Sequence, residues 1–190
     1  MSSAARLNPP NLLTLLRIVA IPVVVLVLMP PAGREISFAR SLAAFLLFGA
    51  ATITDLFDGY IARRYRMVTS LGKLLDPLAD KLLVCAAMVM LIPPGRVPAW
   101  MAVIVIAREI GVTALRGVAS TEGLVIAASN LGKAKTLLLN LGMAFLILHY
   151  PVFGFPVHGV GMMFLSAGLI LTAWSGLDYF FRFVGEIFKQ

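Results

Sequence analysis

The chain has 190 residues, 60% of them hydrophobic and only 13% charged, where soluble domains run near ~45–50% and ~25%. A soluble fold cannot hide that much apolar surface, so lipid is the expected solvent, and the net charge of +7 reads as the positive-inside bias of a membrane protein. The basic residues alternate with apolar runs instead of lining a soluble face, which excludes nucleic-acid binding, and the lone cysteine, Cys85, permits no intrachain disulfide.

Met1 to Pro10 is short and polar and carries Arg6. The long apolar run after it has no small-residue cleavage site, which predicts an uncleaved first span. Six apolar runs follow, at about 12–29, 38–62, 74–92, 98–118, 132–150 and 159–182. Each approaches the ~20 residues that cross a hydrocarbon core. Pro30-Pro31, Pro93-Pro94 and Pro151 break one set of turns, and the other turns are charged. No repeat or linker divides the chain, so residues 1–190 form one expected transmembrane domain, all α-helical. With both termini cytoplasmic, thirteen Lys and Arg lie inside and three outside, namely Arg34, Arg40 and Arg96. That asymmetry sets the predicted topology.

Four of the nine acidic residues, Asp55, Asp58, Asp76 and Asp80, fall within 26 positions at the inner ends of the second and third spans. Asp55, Asp58, Gly59 and Ala62 are spaced i, i+3, i+4, i+7 and share one helix face, with Arg63 at its edge. Asp76 and Asp80, at i and i+4, share another. Four carboxylates in a low dielectric repel one another unless cations intervene. Hard oxygen donors suit Mg2+ or Mn2+, and paired ions suit phosphoryl transfer. A single aspartate near a helix end is as readily a cap or a solvated residue. Four at these spacings are not, although a divalent-cation transporter would also place acids in its spans. Gly59, Ala62 and Gly72 serve helix packing when taken singly. Interleaved with the acids and beside Arg63, they describe the floor of a pocket for a diphosphate, which guanidinium pairs with bidentately.

Asp55, Asp58, Gly59, Ala62, Arg63, Gly72, Asp76 and Asp80 match all eight fixed positions of the CDP-alcohol phosphotransferase signature, and the chain resembles that family. The resemblance implies a six-span membrane enzyme, usually a homodimer, that uses two divalent cations, Mg2+ or Mn2+. It implies that Asp55, Asp58 and Asp76 ligate metal. Asp80 would act as general base and also touch a metal. Asp58, Gly59, Ala62, Arg63 and Gly72 would line the CDP-lipid site, with Thr69 offering a hydroxyl near the diphosphate. Further similarity covers about residues 8–140, including Asn8, Asn11, Thr14 and Arg17, the Asp76–Lys81 run, Ala107-Arg108-Glu109-Ile110, and Gly132–Thr136. It points to the branch whose acceptor is glycerol 3-phosphate, with CDP-diacylglycerol as donor, in the bacterial inner membrane with its active site facing the cytoplasm. One position departs. Where that branch often has an acid after the second arginine of the fourth span, this chain has Gly117, which leaves the partner of Arg116 open.

Arg108 lies roughly ~15 Å deep in the fourth span by helical rise. A charge there needs a partner or a wet cavity, since exposing it to lipid costs at least ~2.5 kcal/mol. Arg116 follows eight residues on, and Lys133 and Lys135 open the fifth span at the same side. Together these four are the expected seat of the acceptor's phosphate. The plainer alternatives are an ion pair of Arg108 with Glu109 or a span-two acid, and interfacial snorkelling for the two lysines. Asp178 and Arg182 are expected to form an ordinary i, i+4 pair. Trp100 and Trp174 read as belt or packing residues, and no role is assigned to His149 or His158. The rival functions are the same chemistry on serine, inositol phosphate or a lipid alcohol, a divalent-cation transporter, and a non-catalytic lipid-binding scaffold.

Overall fold

Each apolar run forms a helix, and the helices overrun the apolar stretches into their charged ends. The computed structural model describes residues 9–30, 35–65, 70–121 and 130–187, with side chains over 15–30, 35–54, 78–79, 81–119 and 134–185. It contains α1 (Pro9–Leu28), α2 (Phe38–Tyr65), α3 (Ser70–Met90), α4 (Ala99–Thr121), α5 (Asn130–Leu148) and α6 (Val157–Ile187). Among the described residues the only β pairing is an isolated bridge between Val152 and Phe155.

The core shows how the helices alternate. Val24 and Leu28 end α1, Leu83 to Leu91 end α3, and Leu139 to Ile147 end α5. They pack in one cluster with Ala44 and Phe48 from the start of α2, Met101 to Val105 from the start of α4, and Leu165 and Leu169 from the start of α6. Ends of odd helices meeting starts of even ones require an up-and-down bundle, with its tight apolar core at one end. This is the end of the proline-containing turns, and the aspartate-bearing segments lie at the other. α1 packs on both α2 and α3, α2 and α3 also pack on α5, and α4 and α6 pair with each other.

Outward faces carry large apolar side chains in water's place, among them Val19, Leu26, Val103, Ile110, Ile170 and Trp174, each at least 60% exposed. Contiguous apolar surface of this kind is foreign to soluble monomers. By length and composition, Val157–Gly185 suffices to cross a membrane, while Leu15–Leu28, Phe38–Thr54, Lys81–Met90 and Ala134–Leu148 are shorter apolar stretches.

Glycine sets the seam between α5 and α6. A Cβ on Gly142 would stand 2.7 Å from the Leu165 backbone nitrogen, and one on Gly161 or Gly168 would stand 2.9 Å from Leu146 or Leu139 side-chain carbon. Small residues let the two backbones close in where lipid gives no hydrophobic drive. A further glycine closes the turn that follows α3. Gly95, at φ 72°, turns the chain so that Arg96 N–H donates to Leu91 O at 3.0 Å and Gly95 N–H to Ile92 O at 2.9 Å. That is a Schellman closure of the last turn.

Two of the three arginines expected outside, Arg40 and Arg96, satisfy the backbone at this end. Arg40 Nε donates to Val27 O, and its Nη2 donates to Leu26 O and Met29 O, at 2.7–3.0 Å, capping the last turn of α1. Arg96 is 2% exposed. Its Nη1 donates to Ser41 Oγ and Ile147 O and its Nη2 to Ile36 O, at 2.7–3.0 Å. The guanidinium also lies 5.5 Å from the centroid of the Tyr150 ring, whose hydroxyl donates to the same Ile36 carbonyl. Burial holds the Arg96 pKa below its usual value, but a guanidinium stays charged at any ordinary pH.

Candidate functional site

The bundle's other end carries the acids. Asp55, Asp58, Gly59, Ala62 and Arg63 occupy the last three turns of α2, and Gly72, Asp76 and Asp80 the first three of α3, so the connection through residues 66–69 brings both sets to one end. The backbone register keeps Asp55 with Asp58, and Asp76 with Asp80, on shared helix faces. The side chains of these residues, and that of Lys133, lie outside the described residues, as does Thr69 altogether. Just before Asp55, the hydroxyls of Thr52 and Thr54 donate to Phe48 O and Ala50 O, at 2.9 and 2.6 Å, so neither leaves an orphan donor in the apolar helix. Among the described residues no three His, Cys, Asp or Glu side chains gather as a metal site. The donor set with the right chemistry for hard divalent cations is the four aspartates.

A second polar group is fully described, and Glu109 is its centre. Its Oε1 pairs with Arg108 Nη1 at 2.8 Å and with Lys135 Nζ, and its Oε2 lies 3.5 Å from Lys81 Nζ. Lys135 is 6%, Glu109 14% and Arg108 16% exposed at the side chain, so the cluster sits well inside the bundle. Lys81 also donates to Thr113 Oγ1, whose own proton goes to Glu109 O at 2.6 Å. Three helices, α3, α4 and α5, therefore meet at one carboxylate. Beside it lies a cavity of ≈ 80 Å³ whose polar wall is Lys81, Glu109, Lys135, Thr136 and Asn140.

Arg108 faces two ways. Its Nη2 donates to Ser175 Oγ of α6 at 3.0 Å. Its stem lies against Gly176, where a Cβ would be 3.1 Å from Arg108 Cγ. A wider groove of ≈ 390 Å³ opens here between α4 and α6, walled by Gly111, Leu115, Leu177 and Phe180 with Arg108 at its side. Its lining is otherwise apolar.

Of the expected acceptor residues, the structure brings Arg108 and Lys135 together. Arg116 stands apart and exposed, its guanidinium carbon 5.9 Å from the centroid of the Tyr179 ring on α6. A cation–π contact thus faces Arg116 where Gly117 supplies no acid. Of the plainer readings, Arg108 does pair with Glu109 and Lys135 is buried instead of snorkelling, while the side chain of Lys133 lies outside the described residues. Residue-by-residue reading overlooked Lys81, Thr113 and Ser175. Lys81 had a signal, being a lysine directly after Asp80 on an apolar helix. Ser175 had none, because a serine in a span is as commonly packing. Elsewhere, Arg182 Nε pairs with Asp178 at 3.0 Å as expected, and His149 and His158 approach each other at 3.1 Å between Nδ1 atoms at the connection of α5 to α6.

Residues 7–174 match the CDP-alcohol phosphatidyltransferase family. A Bacillus subtilis protein named CDP-diacylglycerol–glycerol-3-phosphate 3-phosphatidyltransferase is 40% identical over 180 residues, covering 91% of this chain and 93% of its own. A protein of the same name from Salmonella choleraesuis is 38% identical over 188 residues, covering 96% and 98%. A Mycobacterium tuberculosis protein named probable phosphatidylglycerophosphate synthase is 40% identical, covering 95% of this chain and 83% of its own.

Proposed function

This chain belongs to the CDP-alcohol phosphatidyltransferase family, and on that footing we propose that it transfers the phosphatidyl group of CDP-diacylglycerol to glycerol 3-phosphate, giving phosphatidylglycerophosphate and CMP. The relatives that carry this activity in their names align over nearly the whole chain, which supports the choice of acceptor within the family. The single observation that carries the reading is the placement of the signature acids at one end of α2 and α3, the end away from the apolar core.

In this reading residues 1–190 form one catalytic domain of six spans in the bacterial inner membrane, with both termini and the site at the cytoplasmic face, working as a homodimer. Asp55, Asp58, Asp76 and Asp80 would hold two divalent cations, Mg2+ or Mn2+. When bound, these supply positive charge that neutralises the diphosphate and the departing CMP. Arg63 pairs with the same diphosphate through its planar fork. Gly59, Ala62 and Gly72 leave room for the nucleotide, and Thr69 offers a hydroxyl near the diphosphate. The acyl chains of the donor stay in the bilayer.

Arg108 and Lys135, with Lys133 at the start of α5, bind the phosphate of glycerol 3-phosphate and so turn its free hydroxyl towards the donor, Arg116 joining them only by leaving the Tyr179 ring. Asp80 accepts the hydroxyl proton. The oxygen then bonds to the lipid-side phosphorus as the bond from that phosphorus to CMP breaks. No covalent enzyme intermediate is needed, and the acceleration comes from holding two substrates in line and stabilising charge.

The test is an acceptor panel. Purified protein with CDP-diacylglycerol and Mg2+ is offered glycerol 3-phosphate, serine, inositol phosphate or a lipid alcohol, and CMP is measured. CMP should appear with glycerol 3-phosphate alone. Release with another alcohol would reassign the acceptor, and cation flux in sealed vesicles without any CMP would favour a transporter.

A further inference from the structure

We propose that Glu109 is a positioning residue for the acceptor phosphate, holding Lys81, Arg108 and Lys135 as one preformed cradle and tying it to the helix that bears the general base. The inference rests on the phosphatidyl-transfer reading above. A carboxylate at the centre of a phosphate site looks misplaced, because an anion there repels the ligand. The geometry resolves this.

Consider charge first. Three cations and one carboxylate leave the cluster at +2, which complements a phosphate monoester close to its dianion. Without Glu109 the three cations would stand close together with no carboxylate between them among the described residues. Like charges repel, and lysine ammonium groups on four-carbon stems are free to move apart. The carboxylate therefore supplies order at the expense of one unit of attraction.

Hydrogen-bonding capacity comes next. Arg108 has five N–H donors. The structure uses one Nη1 bond to Glu109 and one Nη2 bond to Ser175, and Nε, though buried, has no hydrogen-bond partner among the described residues. Lys135 has three donors and gives one to Glu109. Lys81 and Lys135 therefore keep donors on the polar wall of the cavity, and Arg108, joined to them through Glu109, lines the neighbouring groove between α4 and α6; spare donors of this kind suit an anion rich in acceptor oxygens.

The third strand is connection. Lys81 directly follows Asp80 in α3, and it binds both the Glu109 carboxylate and Thr113, whose hydroxyl returns to the Glu109 carbonyl. One residue thus links the backbone of the proposed base to two cations of the proposed acceptor site. Transfer requires the acceptor's hydroxyl to meet the base within a fraction of an ångström, and such registration is what a shared anchor provides.

The experiment compares full-length wild-type, Glu109→Gln and Glu109→Asp proteins in mixed micelles. It reads CMP release against each substrate and, separately, inorganic phosphate binding by calorimetry. Glu109→Gln should raise the glycerol 3-phosphate KM about ten-fold or more while the CDP-diacylglycerol KM stays within about two-fold. Phosphate binding should weaken in parallel, and Glu109→Asp should recover part of both. An acceptor KM that is unchanged or lower in Glu109→Gln overturns the proposal, lowering being the signature of a carboxylate that only offsets charge. Equal rises in both KM values overturn it too, as a general structural loss. If Glu109→Gln does not fold, Glu109→Asp decides against wild type by the same selective rise. Wild-type protein that binds phosphate yet releases no CMP would sink the transferase reading, while the phosphate comparison would still judge the cradle.

Discussion

Two arginines, the buried Arg96 and the half-buried Arg108, set the structural end of the molecule against the end proposed for its chemistry. Arg96 gives its described hydrogen bonds to neutral acceptors, two backbone carbonyls and a serine hydroxyl drawn from α2, the segment before it and α5. Its task is complete without a ligand. Arg108 binds a carboxylate that two lysines share, and its buried Nε has no hydrogen-bond partner among the described residues. Neutral partners can satisfy an arginine but do not invite an anion. A shared carboxylate leaves net positive charge, and it is the arrangement with charge and donors left over that can receive a phosphate. Burial alone therefore does not mark the functional arginine; the chemistry of its partners does.

The largest test of this division strikes the chemical end alone. Asp80→Asn should cut CMP release by about 10²–10⁴-fold, the usual weight of a general base, with an unchanged unfolding midpoint in detergent. Wild-type turnover would remove Asp80 from that role. At the structural end, Arg96→Ala leaves Ser41 Oγ and Ile147 O short of a donor, with Ile36 O keeping only the Tyr150 hydroxyl, and should destabilise by about 2–5 kcal/mol, with the acceptor KM of the remaining folded protein unchanged. Arg96→Lys should recover only part of that stability, since an ammonium cannot span the same three acceptors. A raised acceptor KM with intact stability would reverse the division. The smallest effect is expected at Gly176→Ala, whose methyl would press on the Arg108 stem at 3.1 Å. The acceptor KM should rise about two- to five-fold, under about 1 kcal/mol, and no rise at all would mean that Arg108 relaxes freely.

The six helices were legible because apolar length is written directly in the sequence. Their ends were not. α2 runs on to Tyr65 and α6 to Ile187, past the expected apolar runs that end near 62 and 182, since polar and charged side chains continue a helix without difficulty once it reaches water. Helical spacing assigns Asp55 with Asp58, and Asp76 with Asp80, to common faces, and the helices carry both pairs to one end of the bundle, while their side chains lie outside the described residues. The cluster around Glu109 was half legible. Arg108 and Lys135 announced themselves as charges in apolar runs, but no spacing rule says that helices α3, α4 and α5 converge on the intervening glutamate. α6 read as featureless for a simpler reason. Its contributions are Ser175 beneath Arg108, Tyr179 beneath Arg116 and glycines against α5, none of them charged. Arg40 and Arg96, two of the three basic residues expected outside, are accounted for by the carbonyls they satisfy.

The length of α6 has a consequence for the membrane itself. Its 31 residues extend about 46 Å at helical rise, against a hydrocarbon layer of about 30 Å. Even a tilt of 40°, the steep end of what such helices adopt, leaves a vertical span of about 35 Å. Part of α6 must therefore stand in the headgroup zone or force the bilayer to thicken around it. Because Ser175 and Tyr179 ride on this same rod, a change in its tilt would reach the arginines they touch, and on the proposed reading CMP release should vary with the acyl length of the host lipids.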